Sequence, residues 1–253
     1  MGHATNEDVI VLKVKRQDSP EGNPYWETFS LPKLPNANIV SYLQYIQRNP
    51  TNASGQKVAP IVWESSCLEE VCGACTMNIN GKPRQSCTAL VVNLGSEITL
   101  EPAGSFPVVR DLIVDRSRMF KALKKVKGWV EVDGYHDLGP GPRIPRKTQQ
   151  EAYKYSECMT CGCCLEACPQ VTLNNDFVGP AALGQVNLFN MDPTGQFDAD
   201  ERLDALMGEG GIHRCGNAQN CVEVCPKEIP LTDAIGSLNR QLTKKMFKDF
   251  FGG

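Results

Sequence analysis

The placement of cysteine constrains this chain more than any other feature: twelve occur in 253 residues, four between Cys67 and Cys87 and eight between Cys158 and Cys225. That density is short of a disulfide scaffold and far above ordinary usage, so the thiols need a chemical purpose. The first residues, Met1 to Asp8, hold no apolar signal core and no arginine-rich transit character, and Asn6 stands where a myristoylation site wants Ser or Thr. Nothing there directs the chain to an oxidising compartment. In a reducing one, thiols bind metal more often than they pair.

Cys67, Cys72 and Cys75 follow C-x4-C-x2-C, and Cys87 comes after eleven intervening residues. This is the plant-type [2Fe-2S] spacing. Three thiolates from one loop wrap a flat two-iron cluster, and the fourth arrives from across the adjacent hairpin. Gly73, lacking Cβ, lets backbone N–H groups approach the sulfides. The competing reading is a zinc site with four cysteine ligands, but zinc modules typically pair two short C-x2-4-C knuckles.

Cys158, Cys161, Cys164 and Cys168-Pro169 complete C-x2-C-x2-C-x3-C-P, the bacterial two-cluster ferredoxin run. Cys215, Cys221 and Cys225-Pro226 repeat it with Ala218 where the second cysteine should stand. The fourth cysteine of each run serves the other cluster. Cys158, Cys161, Cys164 and Cys225 are therefore expected to hold a [4Fe-4S] cluster. Cys168, Cys215 and Cys221 remain, and three thiolates match a [3Fe-4S] cluster, a cube lacking one corner iron. Cys163 is left over, as an alternative ligand or redox sensor on one reading and, in preference, as a small buried hydrophobe in a crowded loop. None of the three histidines, His3, His136 and His213, lies in a cysteine run, which excludes a Rieske centre.

Between the cysteine groups the local structure changes. Val9 to Val14 and Trp26 to Leu31 read as strands joined through the turn-rich stretch Asp18 to Pro24. Asn38 to Gln47 places Val40, Leu43 and Ile46 on one helical face. Thr76 to Ile79 and Pro83 to Ser86 flank Asn80-Gly81, a type I′ hairpin signal, and Ala89 to Val92 and Ile98 to Leu100 supply the remaining strands. A mixed sheet domain crossed by one helix is expected over residues 1–105. Residues 106–146, with Asp133-Gly134 and the Gly/Pro-rich stretch Leu138 to Pro145, are expected to be a linker. Within it Asp115 to Lys127 has amphipathic spacing, read as a solvated helix in preference to a docking face for an acidic partner. Thr148 to Glu157, Pro180 to Met191, Asp198 to Met207 and Leu231 to Lys245 have helical spacing, so residues 147–253 are expected to be all-helical. The fold class is α+β. The aromatic end, Met246 to Phe251, is either a core-docking end or a partner contact, and the sequence leaves both open.

Composition sets the outer limits. With 41% hydrophobic and 22% charged residues the chain has the balance of a folded core, while a net charge of -3 argues against nucleic acid as a partner. No run approaches the ~20 apolar residues of a spanning helix, so membrane association is expected to be peripheral. Gly208-Glu209-Gly210-Gly211 lacks the preceding strand and third spaced glycine of a dinucleotide loop. Three clusters pass single electrons, and without a flavin or nicotinamide fingerprint the two-electron chemistry must occur on another subunit. No catalytic residue is expected on this chain.

A plant-type [2Fe-2S] domain followed by two ferredoxin runs with one ligand missing resembles the iron-sulfur subunits of succinate dehydrogenase and fumarate reductase. Lys82-Pro83-Arg84-Gln85-Ser86-Cys87, Phe106 to Asp115 and Cys225-Pro226-Lys227 also resemble segments of that family, and the likeness covers almost the whole chain. It implies a β-grasp ferredoxin domain, then an α-helical bacterial-ferredoxin-like domain. It implies a flavoprotein partner that oxidises succinate at covalent FAD, and a membrane cytochrome b anchor, carrying haem b, where quinone is reduced. The location it implies is the cytoplasmic face of a bacterial plasma membrane, with membrane contact only through the anchor. The family's ligand assignment agrees with the spacing, and all four first-run cysteines are present where some relatives carry aspartate.

In the family, the residues following the cysteines that match Cys168 and Cys215 lie at the quinone pocket, where ubiquinone-reducing members place tryptophan and histidine. Here Pro169 is followed by Gln170-Val171-Thr172-Leu173, and Gly216 follows Cys215. Neither the indole N–H nor the imidazole is available, so the resemblance implies menaquinone near Pro169, Thr172, Leu173 and Gly216. The competing reading is that the anchor supplies every group that matters and these positions merely pack. Alternatives for the whole chain are the fumarate-reducing direction, a free-standing soluble electron carrier, against which the linker and basic helix argue, and a zinc-stabilised scaffold.

Overall fold

Alternation dictates the first element. In β1 (Val9–Arg16) Ile10, Leu12, Val14 and Arg16 are buried while their neighbours are not, the period-2 pattern of a strand with one covered face. β2 (Tyr25–Pro32) pairs with it antiparallel, Val9 opposite Pro32 and Arg16 opposite Tyr25. β5 (Glu97–Glu101) lies parallel to β1 on the other side, and β3 (Thr76–Ile79) joins β5 to β4 (Lys82–Gln85), giving the order β2-β1-β5-β3-β4. α1 (Ile39–Arg48) begins where the Asn38 side chain accepts the Ser41 N–H, an N-cap that satisfies one orphan donor. Ile39, Tyr42, Leu43 and Ile46 of α1 fill the core with Leu12, Phe29, Ile98 and Leu100. A five-stranded mixed sheet crossed by one helix is the β-grasp arrangement.

The computed structural model describes residues 9–131 and 141–252. These form two units, the chain up to Arg116 with Cys161–Glu166, and Ser117–Thr160 with the chain from Ala167 onward. Besides the sheet, the first unit holds a small hairpin of β6 (Val108–Arg110) and β7 (Ile113–Val114), and the single turn α4 (Cys163–Glu166). The second is helical: α2 (Ser117–Lys125), α3 (Arg146–Ser156), α5 (Gly179–Met191), α6 (Ala199–Met207), the single turn α7 (Asn220–Glu223) and α8 (Leu231–Phe251). α5, apolar on nearly every side, packs against α3 and α8. Among the described residues no helix is long and apolar enough to cross a membrane. Of the expected linker, Asp133-Gly134 and Leu138 to Pro140 lie outside the described residues, as do Met1 to Asp8.

One expected strand is absent. Ala89 to Val92 forms only an isolated bridge through Leu90 to Asn38, followed by a single 3-10 turn at Val91–Asn93. Its backbone is engaged by the entry to α1: Ala89 O accepts the Ile39 N–H and the Val91 N–H donates to Ala37 O. The run alternates in burial because Ala89 and Val91 face the core, yet no strand lies beside it to pair with. By contrast, Asn80 (φ 50) and Gly81 (φ 74) both take the left-handed conformation that a type I′ hairpin turn demands. α8 continues past Lys245 to Phe251, since no helix breaker intervenes before Gly252.

One ion network ties the loops of the first unit to its sheet. Arg16 is 1% exposed and Asp111 0%. Arg16 Nε and Nη2 donate to the two Asp111 oxygens at 3.1 and 3.0 Å, and Nη1 reaches Glu27 at 2.6 Å and Ala59 O at 2.8 Å. Asp111 also accepts the N–H groups of Gln17 and Val62, so its charge is fully solvated by protein donors. β1, the β6-β7 corner and the backbone at Ala59 to Val62 before the first cysteine loop therefore share one anchor. Asp111→Asn breaks the fork and leaves Arg16 buried with half its counter-charge, at a cost of about 3–5 kcal/mol. A clearly lowered thermal midpoint is expected, and an unchanged one would show that the network does not hold the loops.

Candidate metal centres

The loop carrying Cys67, Cys72 and Cys75 is shaped by three residues in the left-handed region, Leu68 (φ 62), Glu70 (φ 58) and Gly73 (φ 70). Alternation of hand along a loop turns successive N–H groups to one side, the geometry of an anion-binding nest. Here they point at sulfur. Cys67 Sγ accepts from Glu69, Val71 and Cys72 at 3.4, 3.3 and 3.3 Å, and Cys72 Sγ accepts from Cys67 and Ala74 at 3.5 and 3.4 Å. The N–H groups of Glu69 and Val71 in particular hold the Cys67 thiol down at about 7, because hydrogen bonds to the charged form favour it. Arg116 steadies the loop by donating to Gly73 O at 2.8 Å.

Cys75 and Cys87 are the inner pair, buried against Val40 with Trp63 alongside. The β3-β4 hairpin brings them together, Ser86 donating both its N–H and its hydroxyl to Cys75 O. Burial, and then the hydrogen bond it donates to Cys75, pushes the Cys87 thiol up to about 11. The four thiols thus fall into two pairs, Cys67 with Cys72 and Cys75 with Cys87. That donor set fits a two-iron cluster, in which each iron takes two thiolates.

Cys161, Cys163 and Cys164 belong to this same unit. Gly73 packs directly on the first of them: a Cβ added at Gly73 would lie 2.5 Å from Cys161 Cα. Glu166 of α4 pins the turn to the sheet, its carboxylate accepting from Asn78 Nδ2 and the N–H groups of Gly104 and Ser105 at 2.7, 2.9 and 2.7 Å. Cys163 is 0% exposed. Its thiol is driven far up by its hydrogen bond with Cys161 and by burial, while Cys163 as donor holds Cys161 down at about 7. Beyond packing as a small hydrophobe, Cys163 therefore stays protonated and donates to the neighbouring sulfur. Spacing gave no sign of this donor role, nor of Arg116 and Glu166.

In the second unit Cys168, Cys215 and Cys221 line one narrow cleft. Ala218 lines it too, between Asn217 (φ 54) and Gln219 (φ 65). Burial, and then proximity to Cys168 and Cys215, raises the Cys221 thiol to about 11. Three cysteines lining one space that Ala218 also lines form a donor set that fits three irons. Pro169 and Gly216 line the same cleft. Thr172 and Leu173 are outside that lining: Arg118 donates to Thr172 O, and Leu173 is exposed. Cys158 and Cys225 are half-buried in this unit, Cys225 Sγ accepting the Ile229 N–H at 3.5 Å. Among the described residues no three His, Cys, Asp or Glu side chains converge closely enough for one metal ion. A cluster requires less convergence, because its thiolates bind separate irons.

Comparison with known proteins bears on these loops. A family described as "2Fe-2S iron-sulfur cluster binding domain" matches residues 11–121, and one described as "4Fe-4S dicluster domain" matches residues 154–229. The succinate dehydrogenase iron-sulfur subunit of Bacillus subtilis (strain 168) is 58% identical over 98% of this chain and 98% of its own length. The fumarate reductase iron-sulfur subunit of Wolinella succinogenes is 28% identical over 92% of this chain and 97% of its own. A chain in the structure of the Mycobacterium smegmatis Sdh1 complex in the apo form shares the fold, with a TM-score of 0.76 at 23% identity over 94% of this chain and 97% of that one.

Cys163→Ser is expected to leave the iron and sulfide content unchanged, since serine keeps a donor toward Cys161. Cys163→Val, which removes it, should lower the potential of a cluster ligated by Cys161. Loss of the cluster signal in the serine variant would make Cys163 a ligand.

Proposed function

The chain belongs to the family of succinate dehydrogenase and fumarate reductase iron-sulfur subunits, and from that premise we propose that it carries electrons from the FAD of a flavoprotein subunit through [2Fe-2S], [4Fe-4S] and [3Fe-4S] clusters to a quinone at a membrane cytochrome b anchor. Its clusters supply one-electron transfer, while succinate oxidation belongs to the flavoprotein and haem b to the anchor. Residues 1–105 carry the first cluster and residues 147–253 the other two, with 106–146 between. The assembly sits at the cytoplasmic face of a bacterial plasma membrane.

The chain's own residues hold and tune these groups. Cys67, Cys72, Cys75 and Cys87 hold the two-iron cluster, and the N–H groups converging on Cys67 and Cys72 offset the charge on its sulfurs. Cys158, Cys161, Cys164 and Cys225 hold the cubane, with the Cys163 thiol donating toward Cys161. Cys168, Cys215 and Cys221 hold the three-iron cluster. The observation that carries this reading is the cleft in which those three thiols meet Ala218, because a fourth ligand there would complete a second cube.

The greater identity to a succinate dehydrogenase subunit, 58% against 28% for the fumarate reductase subunit, supports succinate oxidation as the working direction. For the quinone, Pro169 and Gly216 in the cleft lining, with no tryptophan or histidine beside them, support menaquinone.

Two measurements test these proposals. Ala218→Cys should let the third centre take a fourth iron, replacing its oxidised EPR signal and lowering its potential. A three-iron signal that persists with excess iron would mean that the missing ligand is not the cause. In the assembled complex, turnover should be faster with menaquinone analogues than with ubiquinone analogues at matched concentration, and the reverse order would overturn the quinone assignment.

A further inference from the structure

We propose that the last two turns of α8 form an interfacial face that seats on an anionic phospholipid surface. α8 packs through Leu231, Ala234, Ile235, Leu238 and Leu242, a stripe at helical spacing that ends at Leu242. Beyond it Met246, Phe247, Phe250 and Phe251 are 61, 60, 80 and 75% exposed. At about 100° per residue these four share an arc of about 140°, whose centre lies about 130° around the helix from the buried stripe. The aromatic face therefore points away from the core that the helix belongs to. Of the two readings that the sequence leaves open for this end, exposure excludes core docking.

The face is ordered within itself. Phe247 and Phe251 stack with centroids 6.3 Å apart, and Phe250 meets Phe251 edge-on at 4.9 Å. Its charge pattern selects the occupant. Asp249, the single acidic residue between Arg240 and Gly252, lies on the core side, where Lys245 holds it at 2.9 Å and also reaches Asp204 at 3.1 Å. Arg240, Lys244 and Lys248, all exposed, run along the border of the aromatic arc at four-residue intervals. The contact of Lys248 with Asp200, 3.5 Å long and exposed on both sides, leaves that ammonium available. Apolar rings bordered by cations, with Asp200 beside Lys248 the carboxylate that touches that border, match a surface of anionic headgroups over acyl chains. The assignment rests on the proposed function only for the presence of a membrane beside the chain, and it adds a direct lipid contact to the one through the anchor.

The test is sedimentation of the full-length, cluster-loaded chain with vesicles of phosphatidylcholine alone and of phosphatidylcholine mixed with phosphatidylglycerol. Binding to the mixed vesicles is expected to be about tenfold tighter or more than to the neutral ones, and to weaken with salt. The double variant Phe247→Ser/Phe251→Ser should lose about tenfold on the mixed vesicles, and Lys244→Gln/Lys248→Gln should lose the preference for anionic lipid. Unchanged visible spectra will show that both variants remain folded. Vesicle binding that is absent from the unaltered chain, or equal in the serine variant, overturns the proposal. So does a serine variant that leaves vesicle binding intact but releases the anchor subunits in detergent, since the face would then belong to a protein partner. None of these readouts uses redox chemistry, so their failure leaves the electron relay standing.

Discussion

A cysteine sulfur that must carry negative charge inside a protein needs donors already aimed at it, and the structure depends on meeting that need before any metal arrives. Five N–H groups converge on Cys67 and Cys72 because Leu68, Glu70 and Gly73 accept left-handed backbone. For leucine and glutamate that conformation is costly, roughly 1 kcal/mol or more each. It persists only where the surroundings impose it and something is gained from the inward amides. The same device recurs at Asn217 and Gln219 around Ala218. Loops of this kind prearrange an anion site rather than wrap loosely around one.

Such loops need a rigid frame. Arg16 and Asp111 supply it by fastening β1, the β6-β7 corner and the backbone at Ala59 to Val62 to each other at the centre of the first unit. Glu166 does the equivalent for α4, through Asn78 of β3 and the N–H groups of Gly104 and Ser105 in the turn after β5. At Arg16 and Asp111 the charged groups are buried with every partner in place, the condition under which burial of charge is tolerated. The Glu166 anchor explains how Cys161, far away in sequence, comes to pack on Gly73 of the first cysteine loop.

The cysteine runs were legible because ligand spacing is a local property of the chain, as was the Asn80-Gly81 turn, which needs only two residues with positive φ. Most helices were legible from period alone. The strand expected at Ala89 to Val92 was not, since a strand exists only by pairing and its backbone is taken by the start of α1. α4 and Glu166 joining the first unit, Cys163 acting as a donor, and the outward turn of the aromatic end of α8 depend on which neighbour each side chain meets. Period and spacing carry no information about that.

The proposed relay assigns eleven of the twelve cysteines to three clusters of three different kinds. Iron and acid-labile sulfide determined on the anaerobically purified complex, together with EPR of its oxidised and reduced states, test it most directly. About nine irons per chain and three distinct signals, one of them a three-iron centre in the oxidised state, are the expected result. Zinc in place of iron, or two complete four-iron cubes beside the two-iron centre, would contradict it.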